Sequence, residues 1–295
     1  MSGSLTVKDL SENHGLTISS KLLYTVNQRV GNILAAKDQK WTYSIDTGGE
    51  QVSTIGISRD GTTSPIRKEG HKETMVGTIS LYNQEGNRLH TIYMGCCPQS
   101  KKVTFNSIFG EEIRTIREKY PQAQRVSIAD GAKDNWTFLK VHSDIQIVDF
   151  WHATEYLAAY AKVVYSQEKE RKKWLKNACH CLKHEQNAAE DILIEIKEYA
   201  TKHKIEDKEN PVKKAMTYFT NQMPRMQYWK YQQQGLPIGS GVVEAACKTL
   251  VKQRVSVSGA KWDRTGLDNI LLARGLILSD GRWQQFWENL DREGI

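Results

Sequence analysis

The chain has 295 residues, with 41 Lys and Arg against 34 Asp and Glu, a formal charge of +7 and a pI near 9.0. That length suffices for one large domain carrying an insertion or for two ordinary domains. No apolar run approaches the roughly 20 residues that span a bilayer, and Met1-Ser-Gly-Ser-Leu-Thr-Val-Lys8 is no signal peptide. A cytoplasmic protein is therefore expected, with nucleic acid favoured over membrane as partner of the basic surface.

Residues 1–50 read as an N-terminal helical arm, two short helices around Asn13-His14-Gly15 with apolar points at Leu16, Ile18, Leu22, Leu23 and Val26. The arm is either a truncated DNA-binding region or a packing element. From Val52 the periodicity changes to two. A strand over 53–59 stops at Asp60-Gly61, and strand-like runs follow at Thr74–Tyr82 and Arg88–Met94, separated by Asn83-Gln-Glu-Gly86-Asn. Phe105, Ile108, Phe109, Ile113 and Ile116 mark one face of a helix that ends before Tyr120-Pro121. Strands at Arg125–Asp130 and Ile145–Asp149 then flank a small helix near Asn135–Leu139.

Strand, strand, strand, helix, strand, helix, strand is the element order of an α/β ribonuclease-H-like fold. In that mixed sheet the first and fourth strands lie adjacent, so Asp60 is expected beside Asp130. Residues 51–150 form the first part of this core. Residues 151–236 read instead as an all-helical, charge-laced insertion, with Leu182, Ala189, Ile192, Ile196 and Tyr199 as its apolar stripe. Residues 237–295 complete the core. Leu236-Pro-Ile-Gly-Ser-Gly241 breaks the helices, a new helix runs over Val242–Arg254, and Glu244 points off its apolar face of Val243, Ala246, Cys247, Leu250 and Val251.

Asp60, Asp130 and Glu244 are the candidate catalytic and metal-binding carboxylates. Cutting and joining phosphodiesters needs an activated oxygen nucleophile and a stabilised leaving oxygen, the work of two divalent ions about 3.5 to 4 Å apart. Such ions take hard carboxylate ligands on rigid elements. Each residue also has a plainer reading: Asp60-Gly61 as a hairpin turn, Asp130 as a helix N-cap, and Glu244 as a surface residue paired with Lys248. Asp46 competes for the first position, but the strands after it fit less well.

Lys248, Lys252, Arg254, Lys261 and Arg264, with Arg274, outnumber Asp263 and Asp268 and form a candidate DNA-phosphate surface. A solvated face is the alternative. Trp262, Trp283 and Trp287 read as packing residues. The five cysteines lack a C-x-x-C pair and are expected as reduced thiols. His180 and His184 sit beside Cys179 and Cys181, but the two cysteines are about 200° apart on a helix, so one zinc site cannot use all four. No phosphate-cradling Gly-rich loop with Lys, G-x-S-x-G elbow or dinucleotide fingerprint occurs, so no nucleotide cofactor is expected.

Three blocks carry a resemblance: Ile128-Ala-Asp-Gly-Ala132, Val148-Asp-Phe-Trp-His-Ala-Thr-Glu-Tyr-Leu157, and Ile238-Gly-Ser-Gly-Val-Val-Glu-Ala-Ala-Cys-Lys-Thr-Leu-Val-Lys-Gln-Arg254 with Ser258-Gly-Ala-Lys-Trp262 behind it. They resemble the ISKra group of bacterial insertion-sequence transposases, relatives of the Mutator-like DDE enzymes. The resemblance spans roughly residues 52 to 290. It implies a ribonuclease-H-like core, Asp60, Asp130 and Glu244 as the triad, and DNA cleavage and strand transfer at element ends with two Mg²⁺ or Mn²⁺ ions. It also implies double-stranded DNA as partner, a place at the bacterial nucleoid, and an auxiliary role for Asp149 and His152, which match a C/D-x-x-H motif. For His152 the alternative is helix capping or packing. A homo-oligomer is left open.

The group's amino ends are longer and carry a probable DNA-recognition region, whereas here the first catalytic strand begins after about fifty residues. The sequence therefore also supports a truncated or captured, non-catalytic DNA-binding derivative. A ribonuclease H or junction nuclease fits less well, because those substrates do not need the insertion before Glu244.

Overall fold

In the computed structural model, residues 3–37 and 40–294 are described. The structure is mixed α/β, built on one open five-stranded sheet. Its strands are β1 (Thr54–Ile66), β2 (Gly70–Tyr82), β3 (Arg88–Cys96), β4 (Gln124–Ala129) and β5 (Ile145–Val148), in the spatial order β3-β2-β1-β4-β5. The first three are antiparallel neighbours, while β4 and β5 run parallel to β1. The expected adjacency of the first and fourth strands is present.

One expectation is corrected. Asp60-Gly61 neither ends a strand nor forms a turn: β1 continues six residues further, with Asp60 paired to Val76. The chain reverses instead through Arg67–Glu69, where Lys68 and Gly70 take positive φ. Beyond Ser58, β1 has lost its β4 neighbour, so Pro65 costs no ladder hydrogen bond on that side. The projecting hairpin is braced there by the Trp262 segment, through Trp262 N to Pro65 O and Arg67 N to Trp262 O.

Helices cover both faces of the sheet. On one face, α3 (Val103–Lys119) packs Phe105, Phe109, Ile113 and Ile116 against Ile57, Ile79 and Ile92. Gly77 is where a side chain cannot fit, since a Cβ would stand 2.7 Å from the Phe109 ring. The short α4 (Lys133–Leu139) follows β4. On the other face lies a helix that begins as α10 (Gly241–Ala246), widens into a π-helical segment over Cys247–Lys252 and closes as α11 (Gln253–Val255). Its Val243, Ala246, Cys247, Leu250 and Val251 meet Val76, Leu267 and Leu271. The last two belong to α12 (Arg264–Leu278). Arg274 of α12 donates to the Thr249 and Leu250 carbonyls, two groups of the π segment.

Between β5 and α10 the chain is helical: α5 (Phe150–Val164), α6 (Glu168–His184), α7 (Ala188–Lys202), α8 (Pro211–Gln222) and α9 (Tyr228–Gln233). The expected single apolar stripe is divided between α6, which buries Leu182, and α7, which buries Ala189, Ile192 and Ile196. Asn187 separates them in the left-handed region. At the amino end, α1 (Gly3–His14) precedes α2 (Ser20–Lys37), whose Leu34 is buried with Leu276 and with Phe286 of α13 (Arg282–Arg292). The α2 helix is thus a packing element against the C-terminal helices. Among the described residues, no helix is long and apolar enough to cross a membrane.

Candidate active site

Alternation along β1 sends Ile57 and Arg59 to the α3/α4 face and Asp60 to the α10 face. The last registered β1/β4 pair is Ser58 with Ile128. Asp60 and Asp130, each two residues further, therefore emerge at the same level of the sheet. Burial pushes the Asp60 carboxyl above its ordinary range, and the negative charges of Asp130 and Glu244 add to that shift. Gly61 N and the Cys247 thiol donate to Asp60, at 2.7 and 3.6 Å, and act in the opposite direction. Asp60, Asp130 and Glu244 thus share one electrostatic neighbourhood although 184 positions separate the first from the last.

Asp130 is not the cap of α4, whose N-cap is Ala132. Its Oδ1 accepts instead from Ala132 N and from Asn135 Nδ2, both at 3.0 Å. The Asn135 Oδ1 accepts from Arg59 Nε at 2.9 Å. Arg59 itself is fully buried beneath α3 and α4, donating also to Asn106 and Asp134 with its guanidinium over the Phe138 ring. A polar relay therefore runs from one residue of β1 to Asp130, next to the point where Asp60 leaves the other face. From the helical segment, Tyr218 Oη donates to Asp130 O and Gln222 Nε2 to Gly131 O, each at 3.0 Å.

Asp149 is completely buried and caps α5. Its Oδ1 accepts from Trp151 N and His152 N, and its Oδ2 accepts from Ser240 N and Ser240 Oγ. Burial alone would raise this carboxyl, but the donors from His152 and Ser240 prevail and hold it below its ordinary range. With the Ser240 hydroxyl turned toward it, Asp149 has all four lone-pair sites of an ionised carboxylate engaged. The Asp149 carboxylate facing the imidazole pushes His152 up to about 9 against the opposing effect of burial. His152 Nδ1 stands 3.8 Å from Asp149 and 4.0 Å from Glu244, distances that make these charge contacts rather than hydrogen bonds.

Among the described residues, Asp149, His152 and Glu244 are the one acidic and imidazole group with metal-like spacing, their ligand atoms all within 4.8 Å of one another. Within this group Asp149 and His152 also form a charge pair. Asp60, Asp130 and the half-exposed Glu244 are further hard oxygen donors beside this group, though among the described residues those three do not have metal-like spacing. Ser240 Oγ touches both Asp149 and, at 2.7 Å, Glu244 Oε1. Its single proton serves only one of them, and the oxygen-to-oxygen contact that remains favours added positive charge at Glu244.

The basic residues divide. Lys248, Lys252 and Lys261 are exposed. Arg264 is committed to Glu69 through two hydrogen bonds and to the Pro98 carbonyl, while Arg254 stacks 4.8 Å above the Trp262 ring. His180 and His184 lie ring to ring at 4.8 Å and form no ligand group with the neighbouring cysteines. Sequence reasoning missed Arg59, Asn135, Tyr218, Gln222, Ser240 and Cys247, all of which act through contacts remote in sequence. Only Ser240 gave a local signal, as the residue opening the Glu244 helix. Compared with protein-family models and with curated proteins, the chain has no match.

Proposed function

We propose that the chain is a DDE-type DNA transposase on a ribonuclease-H-like core, with Asp60, Asp130 and Glu244 as its catalytic carboxylates. The observation that carries the reading is their convergence. Asp60 and Asp130 leave neighbouring strands at one level of the sheet, and Asp130 and Glu244 both lie near enough to raise the Asp60 carboxyl. The antiparallel-then-parallel strand order and the helical segment ahead of Glu244 support it as well.

Two Mg²⁺ or Mn²⁺ ions held there would supply an activated oxygen nucleophile and stabilise the leaving oxygen. The residues of the chain set the geometry. Asn135 and Tyr218 fix the Asp130 loop, while Cys247 and Gly61 orient Asp60. Asp149 anchors the start of the Glu244 helix through Ser240, and His152 faces Glu244 itself. Lys248, Lys252 and Lys261 attract double-stranded DNA by its phosphates.

The test is nicking and strand transfer on a supercoiled plasmid bearing the element's own flanking ends, with Mg²⁺ or Mn²⁺. Asp60→Asn, Asp130→Asn and Glu244→Gln should each lower the rate at least about 100-fold while leaving DNA retention intact. Alanine at Lys248, Lys252 or Lys261 should reduce the slope of log affinity against log salt by about 1 each, whereas Arg264→Ala should not. Full activity in all three carboxylate variants would refute the assignment. Salt-dependent binding by folded protein without metal-dependent cleavage would instead identify a captured, non-catalytic derivative.

A further inference from the structure

Trp151 is 63% exposed, more than any other aromatic side chain among the described residues, and it stands between Asp149 and His152. A single exposed apolar residue ordinarily calls for no explanation, but this one is held in place. Its backbone N–H donates to Asp149, and its ring meets Phe150 edge to face at 5.4 Å. Its pyrrole edge lies against Gly239, where a Cβ would sit 3.2 Å from Cδ1 and 3.3 Å from Nε1. Gly239 has no positive φ that would require glycine, so the missing side chain at that position serves the seat of the ring. Phe150 N donates to Ile238 O, and this ties the ring's neighbour to the loop that opens the Glu244 helix.

We propose that Trp151 is a stacking platform for an unpaired DNA base beside the scissile phosphate, an inference that rests on the DNA-processing function proposed above. An unpaired base that has lost its stacking neighbour is stabilised when an aromatic face takes that neighbour's place. Trp151 offers such a face one residue before His152, whose Nδ1 stands 4.0 Å from Glu244. Its flat contact is indifferent to base identity, because every base has a π-face. Trp262 and Trp283 are partly buried and packed into the apolar clusters behind the helices, and neither offers an equivalent surface.

The experiment compares two DNA probes of the same sequence with the full chain: a forked duplex carrying 2-aminopurine at its first unpaired position, and its fully paired counterpart. Wild-type protein should quench the fork's fluorescence. Trp151→Ala should bind the fork roughly 5- to 150-fold more weakly and abolish the quenching, with affinity for the paired duplex unchanged within about twofold. Trp151→Phe should restore most of both signals. An alanine variant that binds and quenches the fork like wild type overturns the platform alone. Equal loss on both probes overturns it too, as the sign of a structural role. Wild-type protein that binds neither probe overturns the DNA-processing function together with the platform.

Discussion

Replacing Asp149 with Asn tests the bracket that holds the Glu244 helix against α5. Asn is an effective N-cap, so its Oδ1 can keep the bonds from Trp151 N and His152 N, and α5 retains its start. The other oxygen becomes an NH₂ group facing Ser240 N–H, donor against donor. The Ser240 hydroxyl can turn to accept from the amide, but the buried Ser240 N–H cannot. An orphaned buried donor costs about 1 to 3 kcal/mol, and losing the charge beside His152 adds to that, so we expect a loss of about 2 to 3 kcal/mol. In thermal melts this corresponds to a fall of about 4 to 12 °C, at about 2 to 4 °C per kcal/mol. Urea denaturation gives the free energy directly, with Ser240→Ala as control: it removes the hydroxyl, leaves the backbone donor paired, and should cost about 1 kcal/mol. If Asp149→Asn stayed within about 0.5 kcal/mol of wild type, or Ser240→Ala cost as much as it did, the four-donor account of Asp149 would fail.

Arg59→Ala should cost about 3 to 5 kcal/mol, since it empties the space beneath Phe138 and leaves the side-chain oxygens of Asn135 and Asn106 without the donors they accept from. Arg59→Met refills most of that volume and should cost about 1 to 3 kcal/mol in the same urea titration; equal losses would show that volume contributes nothing. Burial raises the Glu195 carboxyl above its usual range, opposed by hydrogen bonds from Trp174 and Tyr160. The folded state then holds a proton that the unfolded chain releases. Stability from this group is complete below the ordinary Glu value near 4.3 and is lost as pH rises through the folded value. Glu195→Gln should flatten that part of a stability–pH curve and unfold later than wild type at pH 7; an unchanged curve would contradict the assignment.

The strand order was legible because β1 through β5 each carry a period-two or short apolar run that a helix would not tolerate. The length of β1 was not. Its second half, Asp60 to Pro65, is rich in residues that favour turns, and what keeps it extended is pairing with β2 and the brace from Trp262, both remote in sequence. Asp60 was therefore selected for a misleading local reason, as a strand end, although its face does bring it near Asp130 and Glu244. The pairing of Glu244 with Lys248, and an alignment of Lys248 with Lys252, would need a regular α-helix. The π segment over Cys247–Lys252 takes more residues per turn, so four-residue spacing no longer keeps those side chains aligned. Basic residues were visible as charge, but the commitment of Arg264 to Glu69 depends on where the β1–β2 hairpin projects.

The helical segment has a role in the site that its charged, amphipathic sequence does not announce. Parallel strands that end at a site leave their last carbonyls without partners, and buried carbonyls must be satisfied from elsewhere. Here the partners come from α8 and α9. Tyr228 Oη donates to Val148 O at 2.9 Å, Tyr218 Oη to Asp130 O, and Gln222 to Gly131 O. These three bonds fall where β4 and β5 deliver Asp130 and Asp149. Gly131, at φ +102°, leaves only 3.0 Å between a would-be Cβ and the Tyr218 ring, so the loop and the helix are fitted to each other. Tyr218 also stacks on Tyr156 of α5, with ring centroids 3.9 Å apart. The same helix pair thus supports Asp130 through α8 and Asp149 through the start of α5. Displacing α8 would therefore move both Asp130 and Asp149, although no residue of α8 is among the proposed catalytic carboxylates.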